Sequence, residues 1–572
     1  MSMLTRWGKT LDPAAVLPEY PRPQLVRESY INLNGLWDYA IYGGSAWPEA
    51  YDGKILVPFS PEAELSGVGR QLLAWQTLWY ERSIDLRPAA GRRLILHFGA
   101  VDQVAKVYIN RELVTVHVGG YTAFEVDITN YIHPGQNTIT VAVRDETDAN
   151  QLSRGKQRTK RGGIWYTPQS GIWQSVWMEW VPESYIRALR ITPSAAHRRV
   201  TICVQSESDC DCAIIFADRR IEGRTNRDIT LSVDGAELWT PETPRLYDFA
   251  VELGADRVES YFALRDVALG HDAAGRPCML LNGRPYYQSG VLDQGYWPDG
   301  LYTAPSDAAM IYDITLMKSM GFNMLRKHIK LEPMRWYYHC DRLGMLVWQD
   351  MMSGGGQYDP VTISAPLITR RHKRDDDYRR FARTDAAGRA HYYAELEELI
   401  TQLYNSPCVA LWVPFNEGWG QFDAAEAVRR IEALDPTRLI DHASGWHDQG
   451  IGGIKSLHVY FYPYRFKPDA LGRVVVLSEF GGYQFPVAGH TYNNANFGYR
   501  AYKSAAALGR AFQALYEGQL LPARKLGLAA SVYTQLSDVE DEVNGFVSYD
   551  REVVKLDAAA VRAINARLIS GE

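Results

Sequence analysis

Two short stretches carry carboxyl groups where they could do chemistry. Val409 to Phe415 is an apolar run with the pattern of a buried strand, and it delivers Asn416 and Glu417 directly before Gly418-Trp419-Gly420. Val474 to Gly482 repeats the arrangement: a β-branched run, then Glu479, then a glycine turn. A single Glu that ends a strand is more often a solvated loop residue than a reacting group. Two of them, each behind a buried strand and followed by glycines and aromatics, point to an acid/base pair.

The elements that must position them follow from the grammar of the chain. From about residue 269 the sequence alternates strand and helix, with candidate strands at 286–291, 322–326, 345–350, 409–416, 438–443, 456–460, 474–479 and 528–535. Helical periodicity falls between several of them: Ser306 to Met320, Pro333 to Arg342, Ala394 to Tyr404, Ala424 to Leu434 and Ala501 to Leu520. Eight strands with intervening helices predict a (β/α)8 TIM barrel over 269–572, whose chemistry belongs at the C-terminal ends of its strands. Polar residues gather at those ends, among them Asp293, Arg326, Lys327, His328, Gln349, Asp350, Asp441, His442, His458, Tyr460, Tyr533 and Gln535. The long segment after the third strand, 351–390, includes the mixed-charge run Arg370 to Asp377 and is read as a solvated flap or a lid.

Upstream, residues 1–184 show short alternating strands and turn chemistry at Asn34-Gly35, Gly119-Gly120 and Pro134-Gly135, which predicts a jelly-roll β-sandwich. Gly162 to Trp177, with its three Trp, is read as a domain interface or a sugar contact. Residues 185–268 form a smaller all-β unit that fits an immunoglobulin-like β-sandwich.

Composition narrows the partners. With 572 residues the chain exceeds a single core. A net charge of −6, from 61 Lys+Arg against 67 Asp+Glu, offers no electrostatic footprint for nucleic acid or an anionic membrane. A small or neutral partner is expected; the 16 Trp and 35 Tyr include flat faces that can stack on sugar rings, while most of them belong to core or inter-domain packing. Six scattered cysteines read as reduced structural thiols: Cys210 and Cys212 lack a second pair or a nearby His, so no metal site is expected. The N-terminal segment has no apolar leader and no 18-residue apolar run occurs, which suggests a soluble cytoplasmic protein. A homo-oligomer is compatible with these readings without being specified by them.

The order jelly roll, immunoglobulin-like unit, barrel, together with Asn416-Glu417 and Ser478-Glu479-Phe480-Gly481, resembles glycoside hydrolase family 2, the family of β-galactosidases, β-glucuronidases and β-mannosidases. The likeness extends through Ile31 to Trp37, Trp79 to Arg82, Gly119 to Phe124, Ser170 to Trp173, Leu281 to Pro285 and Gly321 to Arg326. The resemblance implies a retaining exo-β-glycosidase without cofactor, with Glu417 as acid/base and Glu479 as nucleophile. It implies that Asn416 bonds the sugar 2-hydroxyl and that Arg326 supports the nucleophile. His328, Asp350, Trp446, His458, Tyr460 and Tyr533 are the further candidate substrate-binding residues. Where many relatives carry Ser-His and Asp-Glu, this chain has Lys327-His328 and Gln349-Asp350, and Tyr533 stands where many place Trp. No Asn-x-Lys motif of the glucuronidase type is found, while Lys327, Arg500 or Lys503 could meet an acidic sugar. The rival readings are a glycosidase for a mannoside, uronide or pentoside, and a carbohydrate-binding protein on a retired barrel.

Overall fold

The computed structural model describes residues 3–369 and 372–572; Arg370 and Arg371, the first residues of the mixed-charge run, lie outside the described residues. Period-two alternation in the N-terminal part builds two antiparallel sheets. One has the spatial order Ile31–Asn32, Val176–Pro182, Arg92–Phe98, Phe124–Asp127; the other runs Gly53–Val57, Gly35–Gly43, Gln76–Leu86, Gly135–Arg144, Val104–Ile109, Glu112–Val118. Their inner faces close on a core that includes Trp37, Leu78, Tyr80, Leu96, Phe98, Ile139 and Met178. A second sandwich follows. Its three-stranded sheet (Ala188–Ser194, Arg199–Gln205, Asp228–Ser232) faces a four-stranded one from Asp211–Phe216 to Asp256–Phe262 across Ile191, Ile202, Ile214, Val251 and Phe262.

The third unit is the parallel barrel. Its strands are β1 (Gln288–Asp293), β2 (Met324–Lys327), β3 (Leu346–Asp350), β4 (Val409–Val413), β5 (Leu439–Ile440), β6 (Ile454–Val459), β7 (Val474–Gly481) and β8 (Ala530–Thr534). Hydrogen bonding links them in the order β5-β4-β3-β2-β1-β8-β7-β6. At the seam between β5 and β6 the link is made by side chains: Ser456 Oγ accepts from Gly445 N at 3.1 Å and donates to Ala443 O at 3.3 Å. All eight expected strands are therefore present. The fifth is shorter than 438–443: beyond Ile440 its pairing with β4 continues only through Asp441 N to Trp412 O and an isolated bridge between Asn416 and Ser444.

Helices α1 (Asp307–Ser319), α2 (Met334–Leu343), α3 (Ala386–Leu403), α4 (Ala424–Leu434), α5 (Ala505–Leu515) and α6 (Ala558–Ser570) pack outside. Three differences from the sequence reading have local causes. Asp385 caps α3 by accepting from Gly388 N at 2.7 Å, so the helix starts eight residues early and shortens the expected flap. The helix expected over 501–520 starts at Ala505, where Ser504 caps it, and runs on past Leu520: α5 ends at Leu515, a π-turn spans Tyr516–Leu520, and a short helix Leu521–Leu526 follows, with Pro522, which has no N–H for the ladder, in its first turn. Helix α6 was not foreseen, although Asp557 caps it and Gly571 ends it in the left-handed region. Within the expected flap, Pro360–Ser364 and Pro366–Thr369 are short helices.

The floor of the barrel is sealed by the second sandwich. Trp239 and Ala263 join Met279, Met324, Leu346, Trp348, Leu411 and Val476 in one buried cluster, and Trp239 Nε1 donates to Asp341 O at 2.8 Å. A cavity at a fully buried Trp costs about 3–5 kcal/mol. Trp239→Ala is expected to lower stability by about that amount in urea unfolding, and a loss below about 1 kcal/mol would contradict the sealing role.

Candidate active site

Side chains on a strand alternate between the barrel interior and the helix layer, so direction decides which residues can meet. On β2, Met324 and Arg326 point inward while Leu325 and Lys327 point outward: Met324 packs with the floor, and Leu325 with the outer core. On β7 strict alternation would send Glu479 outward. A bulge prevents this: Leu477 pairs with Leu457, but the next pair is Glu479 with His458, leaving Ser478 as the extra residue. Ser478 and Glu479 therefore both face the interior, and Phe480 returns to the outer core. On β8 no such bulge re-aims Tyr533. It lies outward among Phe480, Phe512 and Phe546, with centroids 5.0–5.5 Å away, so its reading as a substrate-binding residue is corrected.

Arg326 is the hub of the interior. Its Nε and Nη2 each donate to an Asp350 carboxylate oxygen at 3.0 Å, and its Nη2 also donates to Asn416 Oδ1 at 2.8 Å. Nη1 donates to Glu479 Oε1 at 2.9 Å and to Ser478 O at 3.2 Å. Tyr460 Oη donates to the second oxygen of Glu479 and lies 3.0 Å from Thr534 Oγ1. Asn416 thus presents its carbonyl to Arg326 and leaves its Nδ2 buried with no protein partner. A buried amide donor without an acceptor is costly, which makes it a ready donor for an incoming oxygen.

Glu417 arrives by a different route. After β4 the chain bonds back to the β5 loop through Glu417 N to Ser444 O at 3.0 Å, and Glu417 itself adopts φ +52°, a left-handed conformation unusual for a non-glycine residue. Trp446 Nε1 holds the Glu417 carbonyl at 2.8 Å. His458 bridges the two acids: its Nδ1 is 2.8 Å from Glu417 Oε1, and its Nε2 is 3.0 Å from Ser444 Oγ and 3.5 Å from Glu479 Oε1. One oxygen of each Glu and a His458 ring nitrogen all lie within 4.8 Å of one another.

The proton affinities of the two carboxyl groups are shifted in opposite directions. Burial raises the Glu417 carboxyl above its ordinary value and the nearby Glu479 charge adds to this, outweighing the His458 hydrogen bond. Burial acts on Glu479 as well, yet neighbouring His458, the Arg326 guanidinium and the Tyr460 hydrogen bond overcome it and hold that carboxyl below its ordinary value. His328, pushed far down by burial, is neutral, and its Nδ1–H donates to Asp350 Oδ2 at 2.7 Å. Among the described residues, Glu417, His458 and Glu479 are the group near enough to hold a metal ion. Both oxygens of Glu479 are already engaged by Arg326 and Tyr460, which favours a hydrogen-bonded carboxylate instead.

The structure thus brings together Arg326, His328, Asp350, Asn416, Glu417, Trp446, His458, Tyr460 and Glu479. It removes Lys327, which points outward and pairs with Asp293 at 2.6 Å and Glu332 at 2.8 Å, so it cannot meet an acidic sugar. Arg500 and Lys503 are exposed, and the Arg500 guanidinium lies 6.0 Å from the Tyr483 ring. Sequence reasoning missed Tyr499, stacked on Tyr460 at 3.7 Å, and Ser444, which donates to Ser478 Oγ at 3.0 Å. It also missed Trp419 as a wall residue, although the residue sits in the quoted glycine loop and packs on Trp165 at 5.1 Å. The Gly162 to Trp177 stretch is accordingly an interface that reaches the barrel mouth.

Three models of the glycosyl hydrolases family 2 match in chain order: the sugar binding domain over residues 73–182, a further domain model over 191–265, and the TIM barrel domain over 276–471. The chain belongs to glycoside hydrolase family 2. This family 2 chain is 25% identical over 390 residues to a β-galactosidase of Thermoanaerobacter pseudethanolicus, covering 63% of this chain and 47% of that protein. It is 24% identical over 429 residues to a β-glucuronidase of Streptococcus agalactiae, covering 70% of this chain and 68% of the relative. A solved β-D-glucuronidase of Dictyoglomus thermophilum shares its fold, with a TM-score of 0.73 at 17% identity over 96% of this chain and 98% of that one. The chain spans about half the length, or less, of several curated relatives it matches. Replacing the hub of this family 2 site strips Asp350 and Glu479 of their buried counter-charge, which costs about 3–5 kcal/mol. Arg326→Met is expected to lower unfolding free energy by about that amount at pH 7; a loss under about 1 kcal/mol would show that the carboxylates do not depend on it.

Proposed function

We propose that this chain is a retaining exo-β-glycosidase of the β-galactosidase/β-glucuronidase type, removing one terminal non-reducing sugar by double displacement. The observation that carries the reading is the pair Glu417 and Glu479: two carboxyl groups at one barrel mouth, with oxygens within 4.8 Å and proton affinities shifted in opposite directions. Retaining glycosidases use carboxyl groups about 5–5.5 Å apart, whereas inversion needs room for a water between them.

In this reading ionised Glu479 attacks the anomeric carbon as the bond to the leaving oxygen breaks, and Glu417 gives its proton to that oxygen. A glycosyl ester of Glu479 results. The ester removes the Glu479 charge, so the proton affinity of Glu417 falls to a value suited to a base. Glu417 then takes a proton from water, the water oxygen attacks the anomeric carbon, and Glu479 leaves as a carboxylate. Asn416 Nδ2, free of protein partners, suits the sugar 2-hydroxyl. Arg326 and Tyr460 keep Glu479 ionised and aimed, and His458 fixes the Glu417 carboxyl.

We place the protein in the cytoplasm, a reading supported by six free cysteines. No helix among the described residues is long and apolar enough to cross a membrane.

Glu479→Ala is expected to abolish turnover of activated aryl glycosides, with azide restoring it and giving the product of inverted configuration. Glu417→Ala is expected to spare substrates with good leaving groups by at least about 100-fold relative to poor ones, since general acid catalysis contributes about 10²–10⁴. Equal losses on both substrates, or no azide product, would contradict these roles.

A further inference from the structure

The mouth of the barrel is walled by two domains, and charged residues meet across that junction, among them the buried pair Lys156 and Glu542. Ile164 and Trp165 of the N-terminal sandwich pack against Ile329, Tyr358 and Trp419. The Trp419 ring lies 6.1 Å from that of His328, so this loop borders the site itself. In the same loop Lys156 is buried, with its Nζ 3.4 Å from Glu542 Oε2 and 3.4 Å from Tyr166 Oη.

Glu542 stands on the opposite flank. Its loop after β8 pairs with the segment that carries Tyr499, through Phe497 N to Asp541 O at 2.7 Å and Val543 N to Phe497 O at 3.0 Å. Tyr499 stacks on Tyr460, which donates to Glu479. The Lys156 charge is felt at both Glu417 and His328. The pair therefore stands at the domain junction beside the two acids.

A buried ammonium has three N–H donors. Lys156 is met by two contacts at the long end of the hydrogen-bond range, and it lacks a close acceptor. Glu542 Oε1 is likewise held by one long contact, from Asn544 Nδ2 at 3.4 Å. A donor and an acceptor, both underused and both buried, suit two neighbouring hydroxyl groups.

Charge decides between a neutral and an acidic sugar. Arg161 is taken by Glu540 at 3.2 Å and Asp541 at 2.9 Å, Lys156 by Glu542, and Arg326 by Asp350 and Glu479. Three cations face five carboxylates, so no spare positive charge is directed at a sugar carboxylate. Of the other cations of this loop, Arg154 donates to Gly355 O and Gly356 O, Arg158 lies flat over Trp165 at 4.0 Å, and Lys160 is exposed.

We infer that Lys156 and Glu542 form a clamp, contributed by two domains, for adjacent hydroxyl groups of the terminal sugar, and that this sugar is neutral. The inference rests on the glycosidase reading above. Its test is a panel of nitrophenyl β-glycosides with galactose, glucose, mannose, glucuronate and galacturonate as glycone, run on the wild type, Lys156→Met and Glu542→Gln. A neutral glycone is expected to lead both uronides in kcat/KM by at least about tenfold, and each variant to lose about tenfold or more on it, the scale of one hydrogen bond to a charged group.

Deoxy analogues of the preferred sugar keep the test independent of how well the variants fold. Removing the clamped hydroxyl lowers kcat/KM of the wild type by about tenfold but causes little further loss in Lys156→Met. Uronides leading the panel, or wild-type indifference to the 3-, 4- and 6-deoxy analogues, would overturn the clamp while leaving the glycosidase reading intact. No turnover of any glycoside by folded wild type would remove both.

Discussion

The Arg326 guanidinium is the constraint on which the site depends. Four acceptors from three strands or strand ends converge on it: Asp350, Asn416, and the neighbours Ser478 and Glu479. A buried cation is tolerable only when its donors are satisfied and its charge is balanced, and two buried carboxylates need the same cation for the same reason. Each member is therefore held by the others. The outcome is a carboxylate, Glu479, held below its ordinary range inside a barrel, and beside it a carboxyl group, Glu417, raised by burial and by the Glu479 charge. Opposite shifts a few ångströms apart are a property of this network and of neither residue alone.

Backbone irregularity aims what the network binds. The β7 bulge turns Glu479 inward where period-two geometry would have placed it among the helices, and the left-handed turn at Glu417 carries its side chain back over the mouth. Both irregularities lie where the barrel is least regular, beside the side-chain seam between β5 and β6. His458 sits at that seam and touches both acids.

Much of this was legible in the chain. Val409 to Val413 and Val474 to Leu477 read as buried strands because parallel barrel strands are covered on both faces, and their apolar runs end where polar residues become useful. The quoted motifs located Arg326, Asn416, Glu417 and Glu479. What stayed hidden was direction. Tyr533 and Lys327 stand at the right height on their strands but on the wrong face, and a bulge on one strand with none on the next cannot be read from composition. Contacts between distant segments were equally silent: nothing in the sequence near Trp165 announces Trp419, and nothing near Tyr460 announces Tyr499. Helix α6 went unseen because an alanine-rich stretch has weak periodicity, even though its Asp557 cap was present.

The central claim is that Glu479 is ionised while Glu417 holds a proton, and the pH dependence of kcat/KM on an activated glycoside measures it most directly, because that ratio reports the free enzyme. Activity should rise as Glu479 ionises, on a limb below the ordinary carboxylate range, and fall as Glu417 loses its proton, on a limb above it. Glu417→Gln should keep the first limb and lose the second. A profile whose upper limb survives in Glu417→Gln, or whose lower limb lies above that range, would contradict the account.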